Sequence, residues 1–367
     1  MGLDLAGVLR RAMRSARTLD LSGAGRSLRQ ALTASLPAGA GPTTRLPAGD
    51  APAPGPEALP APKPRQGLGA VVAGLRALSL PLLDRAPPPD LPELERRSFE
   101  GTAGRRDYRL FVPPGKPKGL LLMLHGCLQT PEDFAIGTGM TALAATHDLV
   151  VVWPEQRDTH NARSCWNWFE PEHQQRGAGE PAILAELVTA LIAEFRVPRR
   201  RVYVAGLSAG GSMSAILGEA YPELFAAVGV HSGLACGTAH DGRSAIAAMR
   251  GAPAAARPLT PSEHAPRVIV FQGAGDSVVH PMNADRVAAR ACALAGVRPS
   301  REGRSSAGEH EIGRFVARRA DGSPAVELWM IEGVGHAWSG GRKGASFTDP
   351  TGPDASAEML RFFLETE

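Results

Sequence analysis

Between positions 96 and 367, apolar residues form short continuous runs. Between these runs lie segments in which apolar residues recur every three or four positions, as on one face of a helix. The runs predict strands in seven segments: RRDYRLFVPP, GLLLMLHG, DLVVVWPE, RVYVAGLS, AAVGVHSG, RVIVFQGAG and AVELWMIEG. Continuous apolar runs are typical of parallel strands that are covered on both faces. Several of these strands are therefore expected to lie inside one sheet.

Helical patterns stand between the predicted strands. The segment PAILAELVTALIAEF starts at Pro181, a residue that suits a first helical turn, and NADRVAARACALAG ends at a glycine, as helices often do. The alternation predicts an α/β domain with a mainly parallel sheet and helices on both faces. In such domains, functional side chains collect at the carboxyl ends of the strands.

The first part of the chain has a different pattern, and we divide it into two segments. Residues 1–35 predict a basic amphipathic helix, in which most arginines lie away from an apolar face that comprises Leu5, Val8, Leu9, Ala12, Met13 and Ala16. This leader could contact a membrane or a polymer-granule surface, or be only a partly ordered helix. Residues 36–95 are rich in Pro, Ala and Gly and predict a linker with one short helical patch. The compact domain is expected at residues 96–367.

Composition narrows the classes of protein. The chain has 367 residues, of which 43% are hydrophobic, and its net charge of +3 gives no nucleic-acid signature. No apolar run approaches the roughly 18 residues that span a bilayer, so a soluble protein is expected. Asp4 and the arginines interrupt any apolar core in the leader, so the leader does not resemble a signal peptide. The lack of this resemblance favours a cytoplasmic location.

The stretch VYVAGLSAGGSMSAIL takes the chain from a predicted strand into a predicted helix through a G-x-S-x-G pattern. A sharp turn there would hold the Ser208 hydroxyl above the sheet, as a nucleophile requires. Side chains at Gly206 or Gly210 would collide where strand and helix approach each other. The pattern alone also arises by chance, and the strand–turn–helix context is what favours a nucleophile.

A serine hydroxyl needs a base, and the base needs an acid that orients it. His336 in IEGVGHAWSGG and Asp276 in VIVFQGAGDSVVHP both follow predicted strands, in the order serine, aspartate, histidine. We predict a catalytic triad of these two residues with Ser208. Other aspartates and histidines are worse placed in helices, in loops or after His336: Asp285, Asp349, Asp354, His280 and His231.

An oxyanion formed on the substrate requires backbone N–H donors. The turn supplies the amide of Ala209, and the loop after LLLMLHG supplies that of Cys127 or its neighbour. His125 precedes Gly126, and we expect it to shape the loop rather than act as a base.

Five motifs in order resemble the polyhydroxybutyrate depolymerase esterase family of α/β-hydrolases, to which feruloyl and acetylxylan esterases are related. They are LHGCLQTPEDFA, SCWNWFEPEHQQRGAGEPA, VYVAGLSAGGSM, FQGAGDSVVHP and GVGHAWSGG, and the resemblance covers about residues 97–366. It implies an α/β-hydrolase fold, the same triad, and an oxyanion hole at Cys127 and Ala209. Relatives of this kind are often secreted, so the resemblance favours an extracellular location.

The substrate side of the site is expected to be aromatic. Trp166, Trp168 and Trp338 could form an apolar wall that holds an ester chain, although buried tryptophans also serve as core fillers. The run HQQRGAGEPA is like the depolymerase branch of the family. We therefore expect short-chain polyhydroxyalkanoate esters or oligomers as substrates, with feruloyl or acetylxylan esterase activity as the alternative. A non-catalytic protein that binds the surface of polymer granules is the alternative from another class.

Cysteine spacing gives no metal signal. The chain has four cysteines without C-x-x-C spacing, which argues against zinc, and no cofactor motif is present. Loop placement and the resemblance together suggest a disulfide between Cys127 and Cys165 if the protein meets an oxidising compartment. Free thiols at both positions are the alternative.

Overall fold

The computed structural model describes residues 93–253, 259, 261–298, 300–307 and 309–365. The predicted leader at residues 1–35 and most of the predicted linker at residues 36–95 lie outside the described residues. The described residues all belong to the unit Pro64–Glu367. Among their helices, none has both the length and the apolar character needed to cross a membrane.

A sheet of ten strands forms the centre of this unit. Its strands, in chain order, are β1 (Glu95–Gly101), β2 (Gly104–Phe111), β3 (Gly119–Leu124), β4 (Leu149–Pro154), β5 (Val202–Leu207), β6 (Ala227–His231), β7 (Arg267–Gly273), β8 (Ser300–Ala307), β9 (His310–Arg318) and β10 (Pro324–Ile331). Their order across the sheet is β1-β2-β4-β3-β5-β6-β7-β10-β9-β8. The six strands from β4 to β10 are parallel, and antiparallel strands extend the sheet at both edges.

Helices pack on both faces of the sheet. They are α1 (Pro131–Thr138), α2 (Met140–Ala145), α3 (Gly179–Phe195), α4 (Ala209–Ala220), α5 (Gly242–Met249), α6 (Met282–Ala295) and α7 (Ala355–Leu364). Alternate residues of β3 separate two cores: Leu120 and Leu122 pack with α3 and α4, whereas Leu121 and Met123 pack with α1, α2 and α7. The predicted α/β-hydrolase fold, with a mainly parallel sheet covered on both faces, is confirmed.

Each of the seven predicted strand segments overlaps an observed strand, whereas β1, β8 and β9 of the large sheet and the two short strands Trp338–Ser339 and Thr348–Asp349, which pair with each other, were not predicted. Strands β1 and β8 form the two edges of the sheet, and their sequences ERRSFEG and SREGRSSA are rich in charged or polar residues. Edge strands are held by backbone pairing with one neighbour and need little apolar burial. A search for apolar runs therefore misses them.

The carboxyl ends of β3, β5, β7 and β10 lie along one edge of the sheet, because all four strands are parallel. The loops that follow these strands carry the residues predicted to be functional. The fold thus brings together segments that are more than a hundred residues apart along the chain.

Candidate active site

Ser208 occupies the sharp turn between β5 and α4. Its backbone has φ 57° and ψ −117°, a conformation that L-residues rarely adopt. A Cβ at Gly206 would lie 2.4 Å from the Gly210 backbone, and a Cβ at Gly210 would lie 2.0 Å from the Leu124 carbonyl oxygen. Only glycine fits at either position, so the G-x-S-x-G pattern has the steric origin that the sequence suggested.

Ser208, His336 and Asp276 form one chain of hydrogen bonds. His336 Nε2 lies 3.0 Å from Ser208 Oγ, and His336 Nδ1 lies 2.7 Å from Asp276 Oδ2. His336 comes from the loop after β10 and Asp276 from the loop after β7. With a proton on Nδ1, the imidazole can accept the hydroxyl proton through Nε2.

The surroundings of Asp276 hold its carboxylate in one orientation. Oδ1 accepts hydrogen bonds from the amides of Val278 (2.9 Å) and Val279 (2.8 Å), and Oδ2 also accepts one from Gln272 Nε2 (3.0 Å). Burial acts to raise the pKa of Asp276, but the hydrogen bond and charge of His336 and the two amides outweigh it and lower that pKa. The carboxylate therefore stays ionised at neutral pH and fixes the tautomer of His336.

Two further histidines near the site are neutral and have structural contacts. Burial lowers the pKa of His231 to about 3 and that of His125 to about 4. His231 Nε2 accepts a hydrogen bond from the Ser339 amide (3.0 Å), and His125 Nε2 accepts one from the Gln156 amide (3.1 Å). Neither ring has an imidazole nitrogen free to act as a base, in line with the structural roles expected for them.

Cys127 and Ala209, predicted to supply the oxyanion hole, both border the same cavity as Ser208. Ala209 is the first residue of α4, so its N–H has no partner within the helix. The loop that carries Cys127 is shaped by Gln129, whose Oε1 accepts a hydrogen bond from the Gly126 amide (2.9 Å). Gln129 Nε2 in turn donates to Ser346 (3.1 Å). Sequence reasoning missed Gln129, although it lies inside the motif LHGCLQ.

The structure joins Cys127 to Cys165 by a disulfide bond across 38 residues. Beside it, the Leu128 amide donates a hydrogen bond to the Arg163 carbonyl oxygen (3.0 Å). The disulfide thus links the loop after β3 covalently to the loop that carries Trp166 and Trp168, next to Ser208. Of the other two cysteines, Cys236 and Cys292 are both buried and form no disulfide.

We expect reduction of this disulfide to lower stability and activity together. A bond that closes a loop of this size contributes about 2–4 kcal/mol to the free energy of unfolding, and its loss would release the loop that carries Cys127. Thermal melts and ester hydrolysis with and without reductant measure both effects. The double variant Cys127→Ser/Cys165→Ser should lack any response to reductant, and a wild-type protein with two free thiols would contradict the prediction.

A cavity of about 340 Å³ opens beside Ser208, and most of its wall is apolar. Trp168 and Phe169 form part of this wall and contact each other edge to face, with ring centroids 5.7 Å apart. Trp168 thus lies where the sequence analysis expected a substrate-binding tryptophan.

Trp166 and Trp338 do not line the cavity, which corrects their prediction as substrate-binding residues. Trp166 is fully buried and its Nε1 donates to the His125 carbonyl oxygen (3.0 Å). Trp338 is also buried, and its Nε1 donates to Ser356 Oγ (3.0 Å). Both indoles use their polar atom inside the protein and therefore act as core fillers that brace the loops of the site.

Helix α5 forms a second wall that the sequence analysis did not identify. Gly242, Ala245, Ile246 and Met249 line the cavity from one face of this helix. Their spacing of three or four residues in GRSAIAAM is the signal that could have indicated such a face. The helix begins with a capping box in which Asp241 and Ser244 bond each other's backbone amides.

Within the part of the chain that the structure describes, one group of side chains has the spacing of metal ligands: Glu170, Glu172 and His173. His173 Nδ1 already accepts a hydrogen bond from the Glu180 amide (3.0 Å). None of the three borders the cavity. We therefore assign no metal to the site.

The elbow serine, the hydrogen-bonded histidine and aspartate and the ten-stranded sheet together define the class of serine hydrolases with the α/β-hydrolase fold. The family described as esterase PHB depolymerase matches residues 106–312. This match covers more than half of the chain and contains Ser208 and Asp276. The chain belongs to this family.

Comparison with individual proteins agrees with the family. Poly(3-hydroxyalkanoate) depolymerase C of Paucimonas lemoignei is 31% identical over 251 residues, which are 65% of this chain and 60% of that protein. Feruloyl esterase B of Neurospora crassa is 28% identical over 234 residues, which are 59% of this chain and 77% of that protein. The matched part thus spans less than two thirds of the Paucimonas protein.

Among solved structures, an acetyl xylan esterase from Aspergillus awamori superposes with a TM-score of 0.58 at 18% identity. The superposition covers 74% of this chain and 99% of that one. At this level of identity the similarity supports the fold alone.

Proposed function

We propose that this protein is a serine esterase that hydrolyses short-chain polyhydroxyalkanoate esters or oligomers through an acyl-enzyme. The observation that carries the proposal is the hydrogen-bonded chain of Ser208, His336 and Asp276 beside an apolar cavity. A protein that only binds polymer has no structural need for a serine, a histidine and an aspartate hydrogen-bonded to one another at the ends of strands. The triad therefore argues against a non-catalytic polymer-binding protein. Membership of the esterase PHB depolymerase family supports the same class of reaction.

In the first half of the reaction, Ser208 Oγ attacks the ester carbonyl while His336 Nε2 takes the hydroxyl proton. Asp276 stabilises the imidazolium that forms, because its carboxylate already accepts the Nδ1 hydrogen bond. The amides of Cys127 and Ala209 donate to the oxyanion of the tetrahedral intermediate. When the intermediate collapses, the bond to the alcohol oxygen breaks, and His336 gives its proton to the departing alcohol.

In the second half, a water molecule takes the place of the alcohol. His336 accepts a proton from this water as its oxygen attacks the acyl carbonyl, and the same amides stabilise the second oxyanion. Collapse breaks the bond between the acyl carbon and Ser208 Oγ, and the proton returns to the serine. The hydroxy acid then leaves, and the starting enzyme is restored.

The cavity favours a small, largely apolar acyl group. Its volume of about 340 Å³ lies at the lower end of the range of ligand pockets. Trp168 on one side and Ile246 and Met249 on the other would contact methyl and methylene groups of a short hydroxyalkanoate. Burial of these groups contributes roughly 0.8 kcal/mol per methylene.

Feruloyl or acetylxylan ester hydrolysis is the second candidate. It is favoured by the similarity to feruloyl esterase B, of which the matched region covers 77%. The same triad would serve all these esters, since the chemistry at the carbonyl is identical. The candidates differ only in the group that fills the cavity.

We expect the purified protein of residues 1–367 to release 3-hydroxybutyrate from oligomers with a higher kcat/KM than it releases ferulate or acetate from their esters. Chromatographic assay of the three acids from matched concentrations of ester measures the preference. The Ser208→Ala variant is the control for background hydrolysis in each assay. Faster release of ferulate or acetate would reverse the assignment of substrate, and no release of any acid would remove the proposed activity.

A further inference from the structure

Arg163 is the one charged residue among the described residues that line the cavity. The others are apolar, small or neutral, and Cys127 and Cys165 are bonded to each other. Arg163 is half-buried at this position. A guanidinium beside an apolar wall is less well hydrated than one in open water, so its attraction for an anion is strengthened.

Hydrogen bonds hold the backbone of Arg163 beside the loop that carries Cys127. Its carbonyl oxygen accepts the Leu128 amide (3.0 Å), and its own amide donates to Asn161 Oδ1 (3.1 Å). Asn161 is fixed in turn, because its Nδ2 donates to Asn167 Oδ1 (2.7 Å). The disulfide at Cys165 anchors the chain two residues further on. The backbone from which the Arg163 side chain extends is therefore fixed next to the loop that carries Cys127.

The side chain of Arg163 forms no ion pair or hydrogen bond with the described residues. Arg290, by contrast, pairs with the carboxylate of Glu219 at 2.6 Å. A guanidinium presents a planar fork of N–H donors that matches a carboxylate in two parallel hydrogen bonds. The cavity thus holds a carboxylate-binding group that the protein itself leaves unused.

We propose that Arg163 binds the terminal carboxylate of an oligoester and gives the site a preference for free-acid chain ends. The inference rests on the proposed esterase function and specifies which chain end of the substrate the site binds. In a 3-hydroxybutyrate oligomer only the last unit carries a charge, and its carboxylate lies three bonds from the oxygen of the terminal ester. Interior units of a polymer and acetyl or feruloyl esters offer no carboxylate at this distance.

The test compares the 3-hydroxybutyrate dimer as a free acid with the methyl ester of the same dimer, which has no charge. At neutral pH we expect the wild-type protein to prefer the acid, and Arg163→Gln to lower kcat/KM for the acid about tenfold, mainly by raising KM. Hydrolysis of the internal ester bond in the methyl ester should change little. Arg163→Lys should restore part of the preference, since it keeps the charge without the fork. Arg200→Gln, at an exposed arginine outside the cavity, is the matched control.

Each outcome decides between the possible roles of Arg163. An equal loss on both substrates would overturn the inference and indicate that Arg163 only supports the loop. An unchanged preference in Arg163→Gln would also overturn it, and circular dichroism of each variant shows that it is folded. If the wild-type protein cleaves phenyl acetate but neither dimer, the proposed substrate class itself is wrong.

Discussion

Ser208→Ala is expected to reduce kcat for ester hydrolysis by at least about 10⁴-fold, since removal of a triad nucleophile costs this much or more. The substitution removes only Oγ, the atom that lies 3.0 Å from His336 Nε2. Among the described residues Oγ forms no other hydrogen bond, and the turn is held by the backbone, since the Ser208 amide donates to the His231 carbonyl oxygen (2.8 Å). Stopped or continuous assays of a soluble 3-hydroxybutyrate ester measure the loss.

The matched control for this change is Ser305→Ala, at an exposed serine on edge strand β8. It should keep wild-type kcat, and both variants should melt within a few degrees of the wild type. A Ser208→Ala variant that retains more than a few per cent of activity would remove Ser208 from the reaction.

Asp276→Asn is expected to lower kcat by on the order of 10³- to 10⁴-fold through the tautomer of His336. The asparagine oxygen would remain against the amides of Val278 and Val279, and its NH₂ group would then face His336 Nδ1. Two N–H donors cannot share that position, so the imidazole would move its proton to Nε2. A protonated Nε2 cannot accept the proton of Ser208.

The pH–rate profile separates this effect from simple unfolding. Asp276→Asn should be far slower than the wild-type protein at every pH between 6 and 9, while its circular dichroism is unchanged. Asp321→Asn, at an exposed turn, is the control for a loss of one negative charge. Near-normal activity in Asp276→Asn would show that another acid orients the histidine.

The sequence was sufficient to predict the parallel sheet and the elbow because each has a local physical signature. Buried parallel strands require continuous apolar runs, and the close approach of β5 and α4 requires Gly206 and Gly210. Ser208, Asp276 and His336 each follow one of these strands, so their side chains were predicted to lie close together. In the structure they are hydrogen-bonded to one another.

Other features depend on contacts that no local pattern records. The edge strands β1 and β8 exist because a neighbouring strand pairs with them. Trp166 and Trp338 have the same side chain as Trp168, but their indole N–H groups donate to acceptors inside the protein, and the two rings do not line the cavity. Which tryptophan of a loop faces a cavity is decided by such tertiary partners, so the sequence alone could not separate them.

Covalent labelling with a fluorophosphonate tests the central claim most directly, since the reagent reacts with a hydroxyl that a neighbouring base has activated. Mass spectrometry of the intact protein and of its peptides should find one phosphonyl group per chain, on Ser208, with hydrolysis lost in proportion to labelling. His336→Ala should label far more slowly at the same serine. A stoichiometric adduct on another residue, or full hydrolysis by completely labelled protein, would contradict Ser208 as the nucleophile of this esterase.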